Sequence, residues 1–486
     1  MGIFRSTDPT VYDDLDGIVI DETAPPPSIQ GASSNVAILV GQFERGPLTL
    51  ESVGSIGVLR ETYGNNSSYS GLQSLKAKKF GQLKVIRCAA SGAAKATYTF
   101  DDGAGSPTDI IKFDAKYKGV YGNSITVTIE DGSTSGKKYT IKDNTANAVL
   151  PTEVYDNIVI TAVTAATFAD SMLVDVTVMA TTAEPDDATA TNLASGSDGT
   201  IADTDYETAI ALAGVEGAGN ILFLDDYNDT RNGYLKTHAA DTQDKMVICA
   251  NSESATTATA VSDAITDVGT LRDSDGRIIY AFNAPYTFID GVETETSPAA
   301  WMASILSQTS PHIDPAYAAN TQYLAGITKL KHSLKRSQYI ALKDAGIAAF
   351  EFDGDIGVKV KSGVVTQIAN SSKVTILRRR MADFLTTSGG RFLKNYQNAV
   401  NSKDNRDNVN AAIRAFVASQ ENIGILPKDS EVKSGLAKLV DTESLNTDLT
   451  IGQGKFFVLW KQRIYSSMRF IVLKAEIGET VVVSES

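Results

Sequence analysis

The strongest constraint on this chain is an alternation of short apolar runs with helical stretches, broken once by a long segment of different rhythm. From Asn35, NVAILVG is a continuous apolar run, as expected of a strand covered on both faces. Helical segments around 52–62 and 69–80 follow, then the strand LKVIRCA. The rhythm resumes at Asp203, where YETAIALAGV, YLKTHAADTQ and TATAVSDAITDVGTLR read as helices. Between and after them ILFLDD, KMVICAN and GRIIYAF read as strands, and AAFEF and GVKVKSGV complete the set. Residues 283–298 read as a loop, and 301–307 as a helix. Strands alternating with helices predict a mostly parallel sheet with helices on both faces. This α/β body is expected over 25–95 and 199–370.

Residues 96–198 read instead as short strands set off by turns: ATYTF, DIIKFDA, NSITVTIE, KKYTIKD, NIVITAV and MLVDVTVMA. They predict an inserted, sandwich-like β domain, rich in Thr, Ala, Asp and Gly and poor in aromatics. Residues 371–477 predict a C-terminal α+β domain. There Val374, Leu377, Met381, Phe384 and Leu385 recur at helical spacing, with Ser371 or Ser372 available as N-cap. Val409, Ala412, Ile413, Phe416 and Val417 form a second apolar stripe. KFFVLWKQRIYSSMRFIVLKAEI then reads as a hairpin-like apolar block.

Both ends carry arms. In 1–24, Gly17, Ile18, Val19 and Ile20 make a strand-like run among acids, followed by a stiff Pro25–Pro26–Pro27 spacer. In 478–486, Val481, Val482 and Val483 follow Gly478. Such short apolar strands need an edge to pair with, so the chain reads as one that builds assemblies.

Composition excludes several classes. With 42% hydrophobic and 21% charged residues the chain is an ordinary globular protein, not a disordered one. Cys88 and Cys249 lack any CxxC partner and read as buried thiols in a reducing compartment. No apolar run is long enough to cross a bilayer, and the first residues do not read as a signal peptide; a cytoplasmic origin and no direct membrane insertion are expected. Residues 1–100 carry 9 basic against 9 acidic side chains, 101–300 carry 11 against 32, and 301–486 carry 24 against 17. An acidic middle beside a basic end implies surfaces with different partners.

The search for chemistry returns little. Neither GxGxxG nor GxxxxGK[ST] follows a strand, a GxSxG elbow is absent, and His238, His312 and His332 are scattered without metal-ligand spacing. No catalytic residue, metal site or cofactor is expected. Asp225–Asp226 end a strand, where α/β enzymes keep working acids, and Asp353 and Asp355 sit similarly; cap and turn roles are commoner for such pairs. Asp273–Gly276 is a partial calcium-loop match better read as a turn. Arg378–Arg379–Arg380 lies in a helix with its charges pointing apart, so nucleic acid is not expected as a partner.

The order of these pieces resembles the contractile tail sheath proteins of myophages and related injection machines. The resemblance rests on Gly17–Glu22, on NVAILVGQFERGP with its Arg45–Gly46–Pro47 turn, on Tyr63–Gly64 and on KVIRC. It continues through AKYKGVYGNSITVTIE with Gly119, Gly122 and Asn123, AGITKLKHSLKRSQYIALKDAGIAAFEF and TILRRRMADFL. Departures are a single Gly81 before KVIRC and a missing tryptophan-rich stretch before the C-terminal domain. The resemblance implies stacked hexameric rings around a tail tube in a virion tail assembled in the host cytoplasm, with baseplate and tail terminator proteins as further partners. It implies contraction that drives the tube through an envelope to deliver a genome, with arms adding strands to neighbouring subunits. It also implies an inward-facing basic C-terminal domain, for which Lys403, Arg406 and Arg414 are the tube-contact candidates. An α/β enzyme with a β insertion, and the sheath of a non-phage injection system, are the alternatives.

Overall fold

The computed structural model describes residues 2–5, 17–20, 29, 31, 35–76, 79–146, 148–164, 166–217, 219–367, 375–432 and 436–468. The chain divides into two compact units, one of residues 33–383 and one of 1–32 with 384–486.

The larger unit is built on an eight-stranded sheet. In space its strands run Gly357–Val360, Ile347–Asp353, Ile278–Phe282, Met246–Cys249, Ile221–Leu224, Val36–Gln42, Gln82–Cys88 and Glu51–Val53. The six inner strands are parallel and the two edge strands antiparallel. In chain order the inner six lie 2-1-3-4-5-6, a doubly wound arrangement whose direction reverses between Val36–Gln42 and Ile221–Leu224. Their near-continuous apolar sequences follow from burial on both faces: every residue of Ile221–Leu224, Met246–Cys249 and Ile278–Phe282 is buried. Helix Pro298–Gln308 is buried along almost its whole length, and the Trp301 indole nitrogen donates to Thr296 Oγ1 at 2.8 Å.

The connection from Gln82–Cys88 back to Ile221–Leu224 carries two antiparallel sheets. One runs Glu153–Ile158, Lys137–Asp143, Ile125–Asp131, Ala188–Asn192; the other runs Val174–Val178, Asp109–Ala115, Thr97–Asp101. They share a second core, separate from that of the large sheet. Ile125, Val127 and Ile129 alternate inward with period two, and Phe113 meets Phe100, Tyr139 and Phe168 at ring distances of 5.7–6.2 Å. Few aromatics were expected here, but Phe100, Phe113, Tyr121, Tyr139 and Phe168 are gathered in this core, while Tyr98 is exposed.

Residues 283–298, expected as a loop, instead contain Pro285–Ile289 and Val292–Glu295, paired antiparallel about an Asp290–Gly291 turn. Both turn residues have positive φ, 50° and 83°, the geometry that an Asp-Gly pair favours in a two-residue hairpin. Ile327–Leu330 pairs with the other side of Pro285–Ile289.

In the smaller unit, helix Lys403–Asn422 opens with Ser402 Oγ accepting from the Asn405 amide at 3.2 Å. It buries Val409, Ala412, Ile413, Phe416 and Val417, the stripe read from spacing. Helix Ile376–Leu393 starts in the larger unit and ends in this one. Val374, Ser371 and Ser372 lie outside the described residues. Within the apolar block Leu459–Gln462 pairs with Lys438–Asp441, and Trp460 stacks edge-on to Phe416; residues 469–477 of the block lie outside the described residues. Gly17–Ile20 is a strand, paired in parallel with Gly2–Arg5, a strand the sequence reading did not foresee. Val481, Val482 and Val483 lie outside the described residues.

Cys88 and Cys249 are buried free thiols on inner strands. Burial, with Asp225 and Asp205 nearby, pushes the Cys88 thiol up to about 12, and burial raises Cys249 as well. Near neutral pH neither should react with a disulfide-exchange reagent until the chain unfolds, when two thiols should titrate; one fast-reacting thiol in the folded chain would contradict this placement.

Candidate functional site

Most of the motif residues named above converge where the two antiparallel sheets join the parallel one. The Arg45–Gly46–Pro47 turn follows the first parallel strand. Gly46 has φ of 116°, and a Cβ there would stand 2.5 Å from the Tyr63 ring, so the turn needs both the left-handed backbone and the missing side chain. The turn aims Arg45 into the junction, where it is 2% exposed and meets buried Asp143 at 3.0 Å, also donating to the Glu61 carbonyl at 3.2 Å. Arg87, from KVIRC, donates to the carbonyls of Phe43, Glu44, Gly46 and Lys118 at 2.9–3.3 Å. One guanidinium thereby ties the strand-end turn to the start of the β sheets.

The remaining motif positions close the same junction. Glu44 accepts the amides of Asn65 and Asn66, just beyond Tyr63–Gly64, and burial raises its carboxyl against the pull of Arg45 and those amides. Gly122 sits so close to Ala96 and Ala115 that an added Cβ would be 2.8 Å from each of theirs. Asn123 bonds Gly196 twice, donating to its carbonyl at 2.9 Å and accepting its amide at 2.7 Å. Asp198 accepts from Tyr69 on one side and from the Val120 amide on the other, at 2.7 and 2.9 Å. Buried, multiply bonded groups of this kind make a joint, not a hinge.

The doubly wound sheet directs attention to its switch point, where such folds hold ligands. Asp225 ends Ile221–Leu224 there and turns back into the crevice. Its Oδ2 accepts the Gln42 amide at 2.7 Å and Ser70 Oγ at 2.5 Å, and its Oδ1 accepts the Tyr206 hydroxyl at 2.7 Å. The carboxylate fills the crevice so closely that a Cβ on Gly41 would lie 2.9 Å from it. Asp226 is held by Arg231 at 2.6 Å, which also reaches Asp203 and lies over the Tyr206 ring. Asp225 plugs the crevice, while Asp226 is exposed outside it.

The other candidates resolve locally. Asp353 pairs with Lys359 and accepts the Asp355 amide; Asp273 accepts the amides of Gly276 and Arg277, as a turn residue does. Arg379 pairs with Asp383 and Asp275, and Asp383 also meets Arg277 at 3.1 Å. Arg380 is held by oxygens of Asn35, Leu306 and Thr309, and burial pulls its guanidinium down to about 9. His238 and His312 are lowered by burial, and His332 lies 3.2 Å from Glu253. Among the described residues no group of three or more His, Cys, Asp or Glu could hold a metal, and no helix is long and apolar enough to cross a membrane.

In the smaller unit, Lys403 is exposed beside Asp407, and Arg414 is exposed, bonded to Asn410 Oδ1 and the Val440 carbonyl. Arg406 is 8% exposed and meets Glu443 at 3.1 Å, so the polar stripe inferred from spacing is interrupted by a residue the unit uses internally. Among the described residues Lys438–Asp441 and Leu459–Gln462 form a sheet of only two strands.

No family model and no curated protein matches the sequence. The fold does match solved structures. A sheath tail protein from Listeria innocua superposes at a TM-score of 0.63 with 15% identity, over 90% of this chain and 96% of that one. A sheath tail protein from Desulfitobacterium hafniense gives 0.60 and 16%, over 92% and 100%. The helical sheath of the anti-feeding prophage in its contracted state gives 0.57 and 13%, over 96% and 99%. The chain has the fold of contractile sheath tail proteins.

Two outcomes follow from the geometry. Asp143→Ala leaves Arg45 buried without its carboxylate and should cost about 3–5 kcal/mol in denaturant unfolding, while Arg45→Met with Asp143→Leu should recover most of it; equal losses in both would remove the pair from its place in the joint. Burial raises the Asp225 carboxyl, so the folded chain holds its proton to higher pH than the unfolded chain does. That contribution favours the fold at low pH and is lost as pH rises above the ordinary carboxylate range. The stability of the wild type relative to Asp225→Asn should therefore fall as pH is raised, and a pH-independent difference would contradict it.

Proposed function

We propose that the chain is the structural, non-enzymatic subunit of a contractile sheath. The observation that carries this reading is the fold likeness to sheath tail proteins over nearly the full length of both chains. Subunits polymerise as hexameric rings stacked around a tail tube, attached to a baseplate at one end and a terminator at the other. Contraction drives the tube through an envelope and delivers a genome from a virion tail. A second reading, the sheath of an injection system that carries no genome, is supported by the likeness to the anti-feeding prophage sheath.

Heterologous contacts repeated with a rise give a cylinder instead of a closed ring pair. In this reading Gly17–Ile20 and Val481–Val483 are donated to neighbours, and the two-stranded sheet of Lys438–Asp441 and Leu459–Gln462 is an acceptor. A two-stranded sheet is marginal alone and gains from every added strand. Strand hydrogen bonds persist while rigid units rotate about the arms, so contraction proceeds without disassembly. The extended form is kinetically trapped, and contraction buries further surface. At about 25 cal/mol per Å², an extra ~200 Å² of apolar burial per subunit supplies about 5 kcal/mol, repeated along the sheath. Of the tube-contact candidates Lys403, Arg406 and Arg414, exposed Lys403 and Arg414 are the cations that would face the tube, while Arg406 is buried against Glu443.

Negative-stain microscopy of the concentrated full chain, with 1–22 or 479–486 deleted in parallel, tests this. Long hollow tubes from the full chain, and none from folded truncations of unchanged melting temperature, are expected. Compact particles from the full chain at all concentrations would favour an enzyme-like monomer, and destabilised truncations that still form tubes would remove the donated arms.

A further inference from the structure

The larger unit carries two features with exposed apolar side chains and charged neighbours of opposite sign. One is a cleft of about 370 Å³ where Leu330, Leu334, Tyr339 and Phe352 share the lining with Lys329, His332 and Glu351. Phe352 is 63% exposed, a heavy exposure for a phenylalanine on an inner-sheet strand. Lys335 and Arg336 are exposed where helix Arg336–Ala345 begins beside the cleft. Cations at a helix N-terminus oppose its dipole, so this pair weakens the helix it starts and is explained by something outside it.

The other feature lies on the antiparallel sheets. Val154 is 56% exposed and Met172 46% exposed. They are held side by side because the Glu153 carboxylate accepts the Met172 amide at 2.8 Å and Ser171 Oγ at 2.6 Å. Exposed Asp156 and Asp170 flank them; Asp156, accepting from Ser133, is held below the usual carboxylate range. The knob presents Val154 and Met172 between two exposed acids, and the cleft presents Phe352 near the exposed cations Lys335 and Arg336, with Glu351 the acid in its lining.

We propose that the Val154–Met172 knob of one copy seats in the Leu330–Phe352 cleft of the next. The occupant is a second copy of this chain, because its own surface offers exposed apolar side chains beside the acids Asp156 and Asp170 to meet Phe352 beside Lys335 and Arg336. Two different patches meeting make a heterologous contact, which propagates instead of closing. The contact involves neither arm, so it joins the bodies of neighbouring subunits directly. It rests on the polymeric reading above.

Cysteine cross-linking of the full chain decides it, since Cys88 and Cys249 are buried. Oxidising a mixture of Met172→Cys and Phe352→Cys chains at high concentration should give dimers at least tenfold faster than either variant alone. Lys335→Glu with Arg336→Glu should slow that cross-link at least tenfold, and adding Asp170→Lys to the partner chain should restore it. No cross-link from the mixture, or equal rates from the single variants, would overturn the contact. Tubes that form without the cross-link would discard the contact and keep the sheath reading. A cross-link confined to compact oligomers would keep the contact and discard the sheath.

Discussion

A buried guanidinium is tolerable only where the fold surrounds it with oxygen, and two such groups hold this structure together. Arg45 reaches Asp143 across the junction of the parallel and antiparallel sheets, and Arg87 gathers four carbonyls from the two chain segments that meet there. Loss of a partner while the junction stays closed would leave an unpaired buried charge, which costs several kcal/mol. These bonds tie the antiparallel sheets to the parallel one. Helix Ile376–Leu393 passes from one compact unit into the other.

The same economy explains why a doubly wound sheet here has a closed switch point. In ligand-binding relatives of this topology the crevice between the first and third strands stays open. In this chain Asp225 occupies it and is satisfied by Gln42, Ser70 and Tyr206. A carboxylate held by three donors from three elements locks strand ends together where an enzyme would need room. The architecture is spent on stiffness, which accords with the sheath role proposed above.

Much of this was legible in the sequence. The parallel strands announced themselves as continuous apolar runs, and the stripe from Val409 to Val417 placed the face of Lys403–Asn422 correctly, because burial periodicity is a local signal. The Asp290–Gly291 hairpin was also local and was overlooked in favour of the polar character of 283–298. What could not be read were tertiary facts. That Asp225 turns inward depends on Ser70 and Tyr206, distant in sequence, and that Arg406 is buried depends on Glu443. The motif residues from Arg45 to Asn123 could be matched to a family, but their convergence on one joint appears only when Gly46, Arg87 and Gly122 are seen together.

The central claim is that strand donation between copies builds the functional polymer. Hydrogen exchange at the amides of Ile18, Val19 and Ile20, compared between dispersed and assembled chain, tests it most directly. The account predicts fast exchange in the dispersed chain, where Gly2–Arg5 is the strand's only partner among the described residues, and strong protection on assembly, with Val36–Gln42 protected equally in both. Equal protection of Ile18–Ile20 in the dispersed and assembled states would contradict it.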